Sequence, residues 1–283
     1  MKIATLADWF GVGAIEGIRE SERCGAEGVQ LYAADELDPR GLTPDKLAEL
    51  KRTLRDCRQT VTALCGELGG YGLEKAEDNP GKLAYLKAVM DLAQELECPV
   101  VTTHIGVVPA DDGHPRYAVM RDAMREIGAY GAQRGVTLAV ETGPEKISRL
   151  SRFIDDCGPG TGINFDPANL VMVGSDDPVE GVRAAGGRIV HTHAKDGVNL
   201  KAADPEWFYH QFALGGLEGA RALACSEEKP LGEGSVPWDE YLTALHDIGY
   251  DGFLTIEREV KNGAEDIRMA VGFLKAKLEK LGF

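Results

Sequence analysis

Four residues with metal-ligating side chains, Glu141, Asp166, His193 and Glu257, stand at the ends of four strand-like runs that follow one another along the chain. The runs read TLAVE, GINFD, RIVHTH and GFLTIE, and each gives way to Gly, Pro or charged loop residues. Parallel strands that all end in a ligand bring those ligands to one point only if they lie side by side with the same ends up. A closed barrel of parallel strands does this, and its C-terminal rim is where active sites sit. One pattern therefore constrains the fold and the site together.

The rest of the chain keeps the same rhythm. KIATLA, GVQLY, TVTALC and VVTTH supply four earlier strand candidates, giving eight in all. Their starts fall about every 25 to 40 residues, the period of a strand–helix unit. Between them lie apolar residues at helical spacing: Leu47, Leu50, Leu54 and Cys57; Leu83, Leu86, Val89, Met90 and Ala93; Trp238, Tyr241, Leu242 and Leu245. Thr43-Pro44 and Asn79-Pro80 each offer an N-cap oxygen before a proline at the first helical position. Gly135 and Gly249 suit helix exits. No low-complexity linker divides the chain, so the expected architecture is α/β: a single (β/α)8 TIM barrel spanning 1–283. One interval is too long for a simple loop. Residues 197–232 form an insertion after the seventh strand, with Trp207, Phe208, Tyr209, His210 and Phe212 concentrated in it. Loops of that size are usually lids or partner surfaces.

Composition narrows the partners. A net charge of −15 makes nucleic acid and anionic membrane surfaces poor ones. No apolar run approaches the roughly 18 residues of a membrane helix, and the start MKIATLADWFGVG lacks the apolar core of a signal peptide. Six scattered cysteines, none in a CxxC pair, read as free thiols of a cytoplasmic protein.

Side chains alternate along a strand, so residues two apart share a face. Counting back from each ligand pairs Ala139 with Glu141, Asn164 with Asp166, His191 with His193, and Thr255 with Glu257. The first of each pair should lie deeper in the barrel and the second nearer its mouth. His193 is then the ligand and His191 a hydrogen-bonding partner below it. Val140, Phe165, Val190 and Ile256 should face the helices. Three carboxylates and one imidazole form a mostly hard-oxygen set. It suits one divalent ion, Mn²⁺ first, with Mg²⁺, Co²⁺ or Zn²⁺ as alternatives. Such an ion polarises a carbonyl and stabilises the enediolate left when a neighbouring C–H is deprotonated. Glu141 and Glu257, on different strands, can flank that planar species and carry its protons.

The segments VETG, INFDPANL, VHTHAKD, GEGSVPWDEYLTALHDIGYDGFLTIE and THIG resemble the sugar phosphate isomerase/epimerase family, whose fold is a xylose isomerase-like TIM barrel. The resemblance covers essentially the whole chain. It implies that Glu141, Asp166, His193 and Glu257 bind one metal and that Glu141 and Glu257 are the acid/base pair, as in ketose 3-epimerases. Endonuclease IV-type relatives, with three zinc ions, carry a histidine three residues after the strand-six Asp. Asn169 stands there in this chain, and their Asp-x-His pair has no clear match.

The expected function is a divalent-metal-dependent isomerase or epimerase of a ketose, sugar acid or sugar phosphate. The alternative is a dehydratase or lyase using the same site. His104, Lys195, Asn169, Trp9 and Glu67 are candidate substrate contacts. The expected partners are a small carbohydrate and further copies of the chain, as a dimer or tetramer.

Overall fold

The computed structural model describes residues 1–260 and 263–283. Ten strands form in chain order: β1 (Lys2–Leu6), β2 (Gly28–Tyr32), β3 (Thr60–Cys65), β4 (Val100–Thr103), β5 (Thr137–Glu141), β6 (Thr161–Phe165), β7 (Ile189–Ala194), β8 (Asp196–Asn199), β9 (Ser226–Lys229) and β10 (Phe253–Ile256). Eight of them close into a parallel barrel in the order β1-β10-β7-β6-β5-β4-β3-β2, and β8 and β9 pair antiparallel outside it. The expected (β/α)8 TIM barrel is the observed fold, and each expected strand is present.

Outward-facing Val, Leu, Ile and Phe residues pack against the surrounding helices to form the main core. Phe165, for example, stacks on Tyr241 of the helix Trp238–Asp247 at 5.9 Å between ring centroids. The inward faces are partly polar, and they lead upward to the ligand set.

Two local expectations need correction. Thr43 caps its helix by accepting from the Lys46 amide, as the sequence suggests. Asn79 does not cap. The helix Asn79–Glu95 already includes it, and its side-chain amide instead donates to the Leu73 carbonyl at 3.2 Å. Val190 does not pack with the helices either. The β6–β7 register shifts between Ile163 and Asn164, skipping Val190. That bulge turns Val190 onto the small inner cluster of Ala63, Val100 and Ala139.

The segment after β7 is more ordered than a loop. β8 and β9 make a two-stranded platform that carries the helix Pro205–Ala222, which breaks at Gly216 (φ 60°, ψ −157°). The carboxylate of Asp196 fastens the following loop. It accepts from the amides of Gly197 at 2.8 Å, Gly232 at 2.9 Å, Val236 at 3.1 Å and Gly234 at 3.2 Å, and from the indole of Trp238 at 2.9 Å. Only a glycine fits at 234, because a Cβ there would lie 2.0 Å from the Asp196 oxygen. All six cysteines are free thiols. Among the described residues, no helix is long and apolar enough to cross a membrane.

Candidate metal and active site

Four neighbouring barrel strands deliver the ligand candidates to one place. Glu141 ends β5, Asp166 follows β6, His193 lies near the end of β7 and Glu257 follows β10. One ligand atom from each residue lies within 4.8 Å of all the others. Nδ1 of His193 is 3.3 Å from Glu257 Oε2, 3.5 Å from Asp166 Oδ2 and 3.6 Å from Glu141 Oε1. A ligand shell of about 2.1 Å radius spans about 4.2 Å, so the set is close to the spacing a single ion requires.

Hydrogen bonding supports the same assignment. Asp166 caps the helix Pro167–Val173 with Oδ1, which accepts from the amides of Ala168 at 2.8 Å and Asn169 at 3.1 Å. Its Oδ2 is buried without a partner, and so is Nδ1 of His193. Buried polar atoms without partners are rare, and these two face each other. The other ring nitrogen of His193 donates to Gln30 Oε1 at 3.0 Å, while Gln30 Nε2 donates to Thr102 at 3.1 Å. This chain fixes the tautomer that leaves the Nδ1 lone pair free for a metal.

Charge makes the same demand. Burial alone would lower the His193 pKa, but the carboxylates of Glu257 and Glu141 outweigh it and hold it well above the ordinary value. Lys195 and His104 touch Glu257 and Glu141 from outside, while between the three carboxylates stands only the imidazole, and a divalent ion there supplies more charge than a proton. The donor set therefore fits a metal. His191 sits below, its Nδ1 donating to Asn164 Oδ1 at 2.8 Å and its Nε2 accepting from the Thr255 hydroxyl at 2.9 Å. Burial, then the neighbouring His193, push its pKa well below the usual value, so it is a neutral hydrogen-bonding support.

The candidate substrate contacts separate into groups. Asn169 donates to Glu141 Oε1 at 2.9 Å and to the Thr142 carbonyl at 3.2 Å, so it orients the glutamate. Lys195 is only 3% exposed. Its ammonium donates to Glu257 Oε2 at 2.9 Å and Glu259 Oε2 at 2.5 Å, and not to Asp196. Glu67 and His104 form a pair, Oε2 to Nδ1 at 2.8 Å, and the far side of the imidazole lies 3.7 Å from Glu141. Burial lowers the His104 pKa, but Glu141 and Glu67 overcome this and raise it to about 10. Trp9 is on a short 3-10 helix, Ala7–Phe10, half-buried against the core, and does not line the cavity above the ligands.

That cavity, about 530 Å³, is lined by Glu67, His104, Glu141, Asn169, Lys195 and Glu257 below, and by Phe208, Tyr209 and Phe212 of the inserted helix above. Tyr209 lies so close to the chain after β5 that a Cβ on Gly143 would be 2.9 Å from its ring. The sequence reading noted these aromatics without placing Tyr209 and Phe212 over the ligands. It missed Gln30 entirely, although a lone amide between Val29 and Leu31 in an apolar strand is a detectable signal.

Comparisons with known proteins agree with the architecture. The uncharacterized protein YfiH of Bacillus subtilis (strain 168) is 27% identical over 123 residues, 41% of this chain, which matches only 36% of its length. The xylose isomerase domain protein of Planctomyces limnophilus is 27% identical, with a TM-score of 0.80 over 99% of this chain and 96% of that one. A D-psicose 3-epimerase solved in the presence of D-fructose superposes with a TM-score of 0.74 over 100% of both chains at 17% identity. A family model described as a xylose isomerase-like TIM barrel matches residues 18–277, and with it the chain belongs to that family.

Proposed function

We propose that this protein is a divalent-metal-dependent isomerase or epimerase of a ketose, sugar acid or sugar phosphate, acting on the C–H next to a carbonyl. One observation carries the reading: Glu141 and Glu257 belong to the metal set and also line the same cavity. Glu141, Asp166, His193 and Glu257 would hold the metal, which when bound draws electron density from the substrate carbonyl and acidifies the adjacent C–H.

The remaining work belongs to side chains. One glutamate carboxylate takes the proton, and the C–H electron pair becomes the C=C bond of an enediolate as the carbonyl oxygen gains charge. The other glutamate, after taking a proton from solvent, delivers it to the opposite face, which inverts the carbon, and the first glutamate gives its own proton up to solvent. Return to the neighbouring carbon, with transfer of the hydroxyl proton, gives the isomer instead. Lys195 and Asn169 are positioning residues, each holding one glutamate through its carboxylate oxygen. His104, backed by Glu67, is the group placed to donate to a substrate oxygen. The inserted helix covers the cavity with Phe208, Tyr209 and Phe212. A D-psicose 3-epimerase of the same fold supports an epimerase reading.

The test is an NMR screen of ketoses, sugar acids and inososes in D₂O with Mn²⁺ present. The expected result is deuterium at one carbon beside the carbonyl of at least one compound. Loss of water from the substrate would instead select a dehydratase at the same site. No exchange and no turnover across the panel would sink the proposal.

A further inference from the structure

The cavity over the ligands has a neighbour. A second cavity, the outer lobe, of about 580 Å³, shares Glu67, His104, Glu141, Tyr209 and Phe212 with it. Tyr209 and Phe212 thus form a ridge with room on both sides. Each lobe is as large as small-molecule sites usually are, and together they far exceed one sugar ring.

The outer lobe has a distinct chemistry. Besides the shared rings, three more line it, Tyr71 from the chain after β3 and Trp207 and His210 from the inserted helix. Tyr71 and His210 meet across the opening, hydroxyl to Nδ1 at 3.3 Å. Trp207 is 45% exposed, an unusual placement for the largest apolar side chain unless something covers it. The polar groups alternate in sign. Arg116 donates Nη1 to Glu74 at 3.0 Å, yet its Nε is buried without a partner in the protein. Lys75 lies 4.7 Å from the centroid of the Tyr71 ring. Flat apolar faces beside paired donors and acceptors match a pyranose ring, which has C–H faces and hydroxyl edges. An anion fits less well, because Glu67, Glu74 and Glu206 line the same lobe and Arg116 is already paired with one of them.

We infer that the outer lobe is a second sugar subsite, so that the substrate is a neutral glycoside of disaccharide size with its reacting keto-sugar over the metal ligands. This rests on the reading of the inner lobe as the reaction site, but its test is separable from it. The Mn²⁺-loaded protein is titrated by calorimetry with the keto-disaccharides maltulose, lactulose, turanose and isomaltulose, and with D-fructose and D-fructose 6-phosphate for comparison. At least one disaccharide should bind about tenfold more tightly than D-fructose, a difference of about 1.4 kcal/mol. Trp207→Ala should close that gap. Because nearly half of Trp207 is exposed and it lies outside the core, the variant should fold, and an unchanged melting temperature would verify this.

Disaccharides that all bind no better than D-fructose, tighter binding of the phosphate ester than of every disaccharide, or a preference that survives Trp207→Ala would each overturn the inference. A disaccharide preference in a protein that exchanges no C–H in D₂O would retain the subsite and reject the proposed reaction. Exchange without the preference would do the reverse.

Discussion

At the scale of single residues, the site depends on which oxygen of each carboxylate is already committed. Asp166 gives Oδ1 to a helix N-terminus and keeps Oδ2 for the ligand set. Glu257 Oε2 accepts from Lys195, and Glu141 Oε1 from Asn169. Burial opposes ionisation of Glu257, but His193 and Lys195 overcome it and hold the group ionised well below the usual carboxylate range. Glu257→Gln keeps the size and loses the proton-accepting carboxylate. It should reduce turnover and solvent exchange by roughly 10²- to 10⁴-fold at saturating metal, the range usual for a lost acid or base. A variant that exchanges deuterium at the wild-type rate would remove Glu257 from the mechanism. Much of this was legible in the sequence. Strand alternation puts His191 and His193 on one inner face, and their order along the strand makes His193 the one nearer the mouth. Alternation does not say whether Lys195 meets substrate or Glu257, since that depends on where the next strand ends in space. Trp9 was misleading for a related reason: the chain leaves β1 in a 3-10 turn, and the strand face that would have aimed its ring at the mouth no longer applies.

At the scale of elements, the insertion after β7 was visible as an excess of length, and its aromatics as a composition bias. Its internal structure was not, because β8 and β9 pair across the whole helix Pro205–Ala222 and share no local pattern. The Asp196 staple is the clearest case. Beside Lys195 in sequence it reads as a surface ion pair, yet it is buried and holds, besides the amide of Gly197, three amides and an indole from a segment some forty residues later. Hydrogen bonds to a charged acceptor contribute about 1.5–3 kcal/mol each. Asp196→Asn removes the charge and turns an NH₂ toward N–H donors. It should destabilise the protein by about 3 kcal/mol, a fall in Tm of roughly 6–12 °C for a domain of this size. Thermal unfolding checks this, and a shift under about 2 °C would show that the 230–238 loop is held by its other contacts.

At the scale of the whole molecule, the four candidate ligands stand at the ends of β5, β6, β7 and β10, adjacent staves on one side of a closed barrel. Eight strands can close in register only if each contributes to both neighbours, so a force between the ends of four of them is felt around the ring. Three carboxylates held within a few ångströms repel one another, and the cations beside them, the His193 and His104 imidazoles and the Lys195 ammonium, offset part of that charge. A divalent ion among them replaces repulsion by attraction in the folded state alone. The unfolded chain has no such site, so the binding free energy adds to folding stability. With Mn²⁺ at about a thousand times its dissociation constant, the gain is about 4 kcal/mol, or roughly 8–16 °C in Tm. Exhaustive chelation should therefore lower the melting temperature by that amount, and Mn²⁺, Co²⁺ or Mg²⁺ should restore it. The same titration on His193→Ala should show little response, because that variant loses the only nitrogen ligand and exposes the carboxylates to mutual repulsion. Equal melting temperatures for the chelated and Mn²⁺-loaded wild type would mean that the four strand ends do not share an ion.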